Sequence, residues 1–296
     1  MAVSGRNVDR TRHFAQAYKI RAIDDWRSLV SDDEIDLVVV ATVSALHGEV
    51  VELALLAGKH VVVEYPLSLD VAQAQQLVNL AERKGLLLHV EHIELLGGLH
   101  RAVRESLADI GDVHYVNYRT LNPQNPAPRK WTYNRKLFGF AYCGALSRIQ
   151  RMTSLFGQVG SVSCCTRYLN DEQDGWFGGV VSSARLVFET GVVAELTYGK
   201  GEGLWMRRRD IEVHGSTGAA FFSGNEGRLI TDERSDVIAV APRKGLFVKD
   251  TEAVLSYLTK GSPLYVSAAE SVYALRVADA LRRSSAREGE VVNMNN

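Results

Sequence analysis

A chain of 296 residues can fold as one large domain or two moderate ones with a sizeable core. Its 34 lysines and arginines offset 35 aspartates and glutamates, which gives no global reason to expect nucleic acid or an anionic membrane as partner. No apolar run reaches the ~18 residues of a membrane span, and the N-terminus, carrying Arg6, Asp9, Arg10 and Arg12, lacks a secretory apolar core, so a cytoplasmic chain is expected.

In chain order, residues 2–4 read as a strand, 8–18 as a helix and 26–30 as a short helix before the acidic turn Ser31-Asp32-Asp33-Glu34. Residues 36–41 form the next strand, and a helix over 45–57 closes at Gly58. The continuous apolar runs 61–63 and 86–88, separated by a helix over 71–84, suit strands buried on both faces in a βαβ crossover. In parallel sheets, ligands bind at the carboxyl ends of the strands. There the sequence sets Glu64 and Tyr65 after the first run, and His89, Glu91, His92 and Glu94 after the second.

These last four have the composition of a metal site, and alternation would put His89 and Glu91 on one face. No third ligand of suitable type stands nearby, so no metal is expected. Tyr65 precedes Pro66, which holds its backbone extended and favours a ligand contact over a ring packed under the sheet end. No G-x-G-x-x-G turn links a strand to a helix. The nearest run, Gly199-Lys200-Gly201-Glu202-Gly203, follows an apolar strand at 192–198 but leads into no helix.

From Leu99 the pattern changes. A helix over 99–107 ends at Asp109-Ile110-Gly111, and strand-like alternation follows at 113–120, 159–168, 180–189, 192–198, 210–214, 219–222 and 237–240. Helices over 251–259 and 268–287 close the chain. Residues 140–156 read as one helix with an apolar stripe of Ala145, Ile149, Met152 and Phe156. Arg148 and Arg151 sit on a neighbouring face; taken alone, they suit a snorkelling edge. The segment 122–133 is proline-rich, basic and aromatic, too stiff for a flexible linker, and reads as a lid or pocket wall. Cys164 and Cys165 would point to opposite faces of their strand, so with Cys143 they suit neither a disulfide framework nor a zinc site.

The run Gly58-Lys59-His60-Val61-Val62-Val63-Glu64-Tyr65-Pro66 resembles the signature of the glucose-fructose oxidoreductase/inositol dehydrogenase (Gfo/Idh/MocA) family of NAD(P)-dependent enzymes, where lysine usually occupies the place of Tyr65. That tyrosine, with Leu67-Ser68-Leu69 and the segment 89–96, is similar to the bilin-reducing branch of the family in its cyanobacterial form. The resemblance implies an α/β fold, with a Rossmann-type parallel sheet over 1–97 and then an α+β domain over 98–296 with a large, mostly antiparallel sheet. It sets Met1 on the family's second strand. The first βα unit, with its glycine-rich loop, is therefore expected to be missing, through a start read too far downstream or in a shortened protein that holds cofactor weakly.

The resemblance also implies roles. Gly5, Arg6 and Asn7 stand where an acidic residue would hold the ribose 2′-hydroxyl of NAD; an arginine there suits the 2′-phosphate of NADP, favouring NADPH with NADH possible. The other reading of Arg6 is a solvated turn residue. Ala41, Thr42, Ser44 and His47 match the segment under the ribose and nicotinamide, and Glu64, Tyr65 and His89 complete the cofactor side. Glu91, His92, Arg129, Trp131, Arg148 and Arg151 are expected around the substrate, biliverdin or a related bilin. Its two propionates would find anchors among Arg119, Arg129, Lys130, Arg135, Arg167 and Arg185, and its flat body would lie against Trp131, Tyr133, Phe138 and Phe140. Hydride passes from NADPH to the central methine carbon, and a proton to a pyrrole nitrogen.

Tyr65 and Arg148 are the catalytic candidates. A guanidinium with a pKa above ~12 stabilises developing charge or orients water rather than giving up its proton. A sugar or polyol dehydrogenase of the same family is one alternative, disfavoured by the missing lysine before Pro66. A non-catalytic bilin-binding protein is the other, suggested by the missing loop. Neither nucleic acid nor a membrane is expected as partner, and the oligomeric state is open.

Overall fold

The computed structural model describes residues 1–294. β1 (Ala2–Val3) leads through α1 (Val8–Tyr18) to its parallel partner β2 (Arg21–Ala22), and α2 (Trp26–Val30) leads on to β3 (Leu37–Val40). Then come α3 (Ser44–Leu56), β4 (His60–Glu64), α4 (Val71–Lys84) and β5 (Leu88–Glu91), giving a second parallel group ordered β3-β4-β5. Asn7, Asp25 and Asp70 each accept a hydrogen bond from a first-turn backbone N–H, and Gly85 ends α4 in the left-handed region at φ 63°. These local caps set the boundaries of α1, α2 and α4 where the sequence predicts them. β5 begins two residues later than the apolar run at 86–88, because the Leu86 N–H bonds back to the Ala81 carbonyl and the Leu87 N–H donates to His60 Nδ1.

A 3₁₀ turn, Ile93–Leu96, leads into α5 (Gly98–Ile110) and β6 (Val113–Pro123). A second 3₁₀ turn, Trp131–Tyr133, precedes α6 (Arg135–Phe138), α7 (Ala141–Gly144) and α8 (Leu146–Phe156). β7 (Val159–Leu169), β8 (Gly179–Phe188), β9 (Val193–Gly201), β10 (Arg208–Gly215), β11 (Gly218–Ser223), β12 (Glu226–Thr231) and β13 (Ser235–Ala239) follow, then α9 (Leu246–Lys260), α10 (Ala268–Ser285) and β14 (Val292–Asn293). They form one nine-stranded sheet, ordered β13-β12-β11-β10-β6-β9-β8-β7-β14. Every neighbouring pair is antiparallel except β6 and β9. Val116, Tyr118, Cys164, Ala184, Leu186 and Leu196 share the core with Ile149 and Met152 of α8 and Leu275 and Leu281 of α10. Cys165, next along β7, is exposed, and all three cysteines are free.

The sequence predicts a single helix over 140–156, but the structure breaks it at Ala145 (φ −106°, ψ 25°). Gly144 lies so close to the Phe138 ring that an added Cβ would come within 1.8 Å of its Cζ, so the chain turns around that ring. The sequence pattern predicts no strand at β2, β12 or β14; β12 is half exposed and contains Gly227, which weakens the alternation signal. Among the described residues, no helix is long and apolar enough to cross a membrane.

Gly144→Ala forces the Phe138 ring to move, at an expected cost of about 1–3 kcal/mol. Thermal unfolding reads this as a lowered midpoint; an unchanged midpoint means the ring yields freely.

Candidate functional site

A cavity of about 370 Å³ lies where the turn after β4 meets the ends of β6 and β9 and the start of β10. Tyr65 supplies one aromatic wall. Its ring stacks on His92 at 5.3 Å between centroids, 5° from parallel, and its hydroxyl donates to Ser147 Oγ at 3.3 Å. The same Oγ accepts from Arg148 Nη1 at 3.0 Å, so the short side chain of Ser147 fixes the tyrosine and the guanidinium relative to each other. Arg148 also lies over the Tyr198 ring, 5.5 Å from its centroid, and its buried Nε has no hydrogen-bond partner among the described residues. Burial works against the charge of Arg148, but the neighbouring Tyr118, Tyr65, Tyr198 and Glu94 raise its pKa above the ordinary arginine value, so it stays cationic. Burial pushes the Tyr198 phenol up to about 12.

Beneath this group Glu94, in the 3₁₀ turn after β5, gathers three arginines. Its Oε2 accepts from Arg151 at 3.4 Å and Arg209 at 3.5 Å, and its Oε1 accepts from Arg243. Burial alone would raise the Glu94 pKa, but Arg151, Arg243 and Arg209 outweigh it and hold the carboxyl below the usual range. Among the described residues around the cavity, Arg148, Lys200, Arg207, Arg208, Arg209 and Arg243 share a single carboxylate, Glu94. The site therefore suits an anion. The sequence reading does not place Lys200, Tyr198 or the arginines of β10 and its approach in the site. The cue was the dense basic run 207–209 close after Lys200, which reads equally as a solvated surface.

Several predicted site residues lie elsewhere. Arg151 is 1% exposed, bonded to the Tyr118 hydroxyl at 2.6 Å and to Glu94; it positions Glu94 and does not line the cavity. His89 is fully buried with Nε2 2.8 Å from Asp250, and His92, also fully buried, pairs Nε2 with the Ser271 hydroxyl at 2.8 Å. Burial and His89 drive the His92 pKa down to about 3, so it acts as a neutral platform for Tyr65 rather than a surface contact. His47, 1% exposed, braces the turns after β3 and β4 through the carbonyls of Pro66 at 2.8 Å and Thr42 at 3.3 Å; Ser44 is buried beside it. Glu91 is half-buried at the end of β5, and burial with Asp250 and Glu64 raises its pKa to about 7.

Arg129 is exposed, pairs with Glu172 at 3.3 Å and covers Trp176; Trp131 packs on Phe138, and neither lines the cavity. Of the predicted anchors, Arg119 is taken by Asp210 and Arg135 by Asp171, while Lys130, Arg167 and Arg185 are exposed away from the cavity lining. The segment 124–133 packs on the sheet end through Glu202, which accepts from the Ala127 N–H at 2.9 Å. No group of three or more potential metal ligands is found among the described residues.

Residues suited to the two ends of a nicotinamide dinucleotide are present. Gly5, Arg6 and Asn7 are exposed just ahead of α1, and a Cβ on Gly5 would crowd Thr11 Oγ1 at 2.9 Å. Ala41, Thr42 and Glu64 are open at the carboxyl ends of β3 and β4, on the side from which Tyr65 reaches the cavity.

Residues 1–92 match the NAD-binding Rossmann-fold model of the Gfo/Idh/MocA oxidoreductases, and residues 104–294 match the family's C-terminal α/β domain. The chain is similar to the structure of biliverdin reductase from Synechocystis sp. PCC 6803, in complex with biliverdin and NADP+: 47% identity, 96% of this chain and 90% of that one covered, TM-score 0.93. It is 28% identical to biliverdin reductase A of Mus musculus over 81% of this chain and 73% of the relative. It is also 30% identical to a dTDP-3,4-didehydro-2,6-dideoxy-α-D-glucose 3-reductase of Actinomadura kijaniata, over 73% of this chain and 64% of that protein.

Because the folded Glu94 carboxyl titrates below its unfolded value of 4.5, its stabilising contribution is complete above pH 4.5 and is lost as pH falls through the lower folded value. Glu94→Gln strips Arg151 of its buried counter-charge, with an expected loss of about 3 kcal/mol at neutral pH. It also makes the acid limb shallower. Urea unfolding of both proteins at neutral and acidic pH checks the pair of effects.

Proposed function

Because the chain belongs to the Gfo/Idh/MocA family of NAD(P)H-dependent oxidoreductases, we propose that it reduces biliverdin or a closely related bilin with NADPH, at the central methine carbon. The observation that carries this reading is the cavity itself, six cationic side chains and one carboxylate around the rings of Tyr65 and Tyr198. A flat molecule with two propionates offers those cations their counter-charges and the rings a surface. A neutral sugar would bring no counter-charge to Arg148, Arg207 and Arg208, which have no carboxylate partner of their own among the described residues, and covering Arg148 without one is costly. The 47% identity to a reductase solved with biliverdin and NADP+ supports the same reading.

NADPH, when bound, supplies the hydride. Within the cofactor-binding part, residues 1–97, Arg6 pairs with the 2′-phosphate, and Thr42 and Glu64 border the nicotinamide. Within the substrate-binding part, residues 98–296, Arg207, Arg208, Arg209 and Arg243 hold the propionates. Tyr65, backed by His92, keeps the bilin ring system flat against the open strand ends. Arg148, fixed by Ser147, stabilises the negative charge that builds on the pyrrole system as hydride arrives.

Biliverdin mixed with the chain and NADPH is expected to turn from blue-green to yellow; a colour that holds with both ligands bound overturns the reading in favour of a binding protein. Arg148→Ala is expected to lower kcat by about 10²-fold with little change in KM, and Arg148→Lys to recover little, since an ammonium lacks the planar fork. Arg6→Asp should shift the ratio of kcat/KM from NADPH towards NADH; an unchanged ratio returns Arg6 to a solvated turn.

A further inference from the structure

Reduction of a bilin consumes a proton as well as a hydride, and arginines do not release protons at neutral pH. Lys200 differs from the other cations of the cavity. Along β9 the alternation turns Leu196, Tyr198 and Lys200 to the helix-covered face, and Lys200 is only 7% exposed. Its Nζ sits among three rings, 3.6 Å from the centroid of Phe138, 4.8 Å from Tyr133 and 5.6 Å from Phe177. It donates to the Thr132 carbonyl, and no carboxylate lies within ion-pair distance of it among the described residues. The rings stabilise the cation in part, but one carbonyl serves only one of its three N–H donors.

Building on the bilin-reduction reading, we propose that Lys200 is the proton donor of the reaction, passing a proton from Nζ to a pyrrole nitrogen as hydride reaches the central methine carbon. The step balances: NADPH gives two electrons and one hydrogen as hydride, the ammonium gives H⁺, and a C–H and an N–H bond form. The neutral amine then takes a proton from water. Between turnovers the Thr132 carbonyl holds the amine among the three rings, beside the cavity that Lys200 lines.

The electrostatics agree with the geometry. Burial, then the positive charge of Arg148, brings the Lys200 pKa down to about 7, where a general acid is most effective. The other titratable groups around it are Tyr133 from the 3₁₀ turn, Tyr198 from its own strand and Tyr65 across the cavity; Glu94, Arg207, Arg208, Arg209 and Arg243 complete the lining. Glu91, also near 7, is not part of the cavity lining, and His92 is neutral and buried.

The test pairs kinetics with a titration of the ligand-free protein. With biliverdin and NADPH, wild-type kcat is expected to fall as pH rises through about 7. Lys200→Met is expected to lose about 10²-fold in kcat and that falling limb together. Lys200→Arg keeps the charge but does not release a proton at neutral pH, and should show the same loss in protein that thermal unfolding shows to be folded. Carbon-13 NMR of lysine-labelled protein without ligands should show one lysine titrating near 7, absent from Lys200→Met. Both variants retaining the limb in a protein whose wild type reduces biliverdin overturns the proposal alone, as does a Lys200 that titrates in the ordinary lysine range. A wild type that leaves biliverdin unreduced overturns the reading on which the proposal rests, and the NMR titration separates that failure from an error about Lys200.

Discussion

Glu94 is the charge on which the arrangement of the site depends. It sits in the single turn that leaves the parallel strands for the large sheet, and it accepts from Arg151 of α8, Arg209 of β10 and Arg243 ahead of α9. Three elements far apart in sequence are thereby fixed to one carboxylate. Two of those arginines are half in solvent, but Arg151 is almost wholly buried, and a buried guanidinium tolerates no loss of its counter-charge. The interaction explains how so many like charges share one cavity wall: one negative group, together with the Tyr118 hydroxyl, offsets the repulsion from below and leaves the upper guanidinium faces for a ligand.

The second constraint is topological. In a sheet otherwise antiparallel, β6 and β9 run side by side in the same direction, with Leu121 opposite Gly199 and Asn122 opposite Lys200. Two carboxyl ends therefore finish together at the cavity, reproducing inside a mixed sheet the geometry by which parallel sheets form ligand sites. Gly201 closes β9 at φ 94°, and a Cβ there would lie 2.2 Å from the Gly178 carbonyl. Glycine at that position lets the start of β8 approach the end of β9, next to Lys200.

What the sequence made legible follows from the range of the forces involved. Helices α1, α2 and α4 start on side chains two or three residues from the N–H groups they cap, so local pattern places them. The break at Ala145 depends on a ring six residues or more away whose position no periodicity records. Tyr65 and Arg148, which both line the cavity, stand out in the sequence because local motifs carry them, whereas Lys200, Arg209 and Arg243 meet only through tertiary packing. The buried histidines show the opposite error. His47, His89 and His92 have the chemistry of ligands, but one ring nitrogen of each is taken by Pro66, Asp250 and Ser271 respectively, and composition does not reveal a partner up to 179 residues away.

The distribution of charge also governs how a ligand arrives. A chain with a formal net charge of −1 concentrates six cations around one mouth, so negative charge must prevail over the rest of its surface. An anion diffusing up to the protein meets a weakly repelling exterior with one attractive funnel, which orients the encounter before contact. Capture is consequently fastest in dilute buffer and slows as the ionic atmosphere thins that funnel, over a screening distance of about 8 Å at physiological salt.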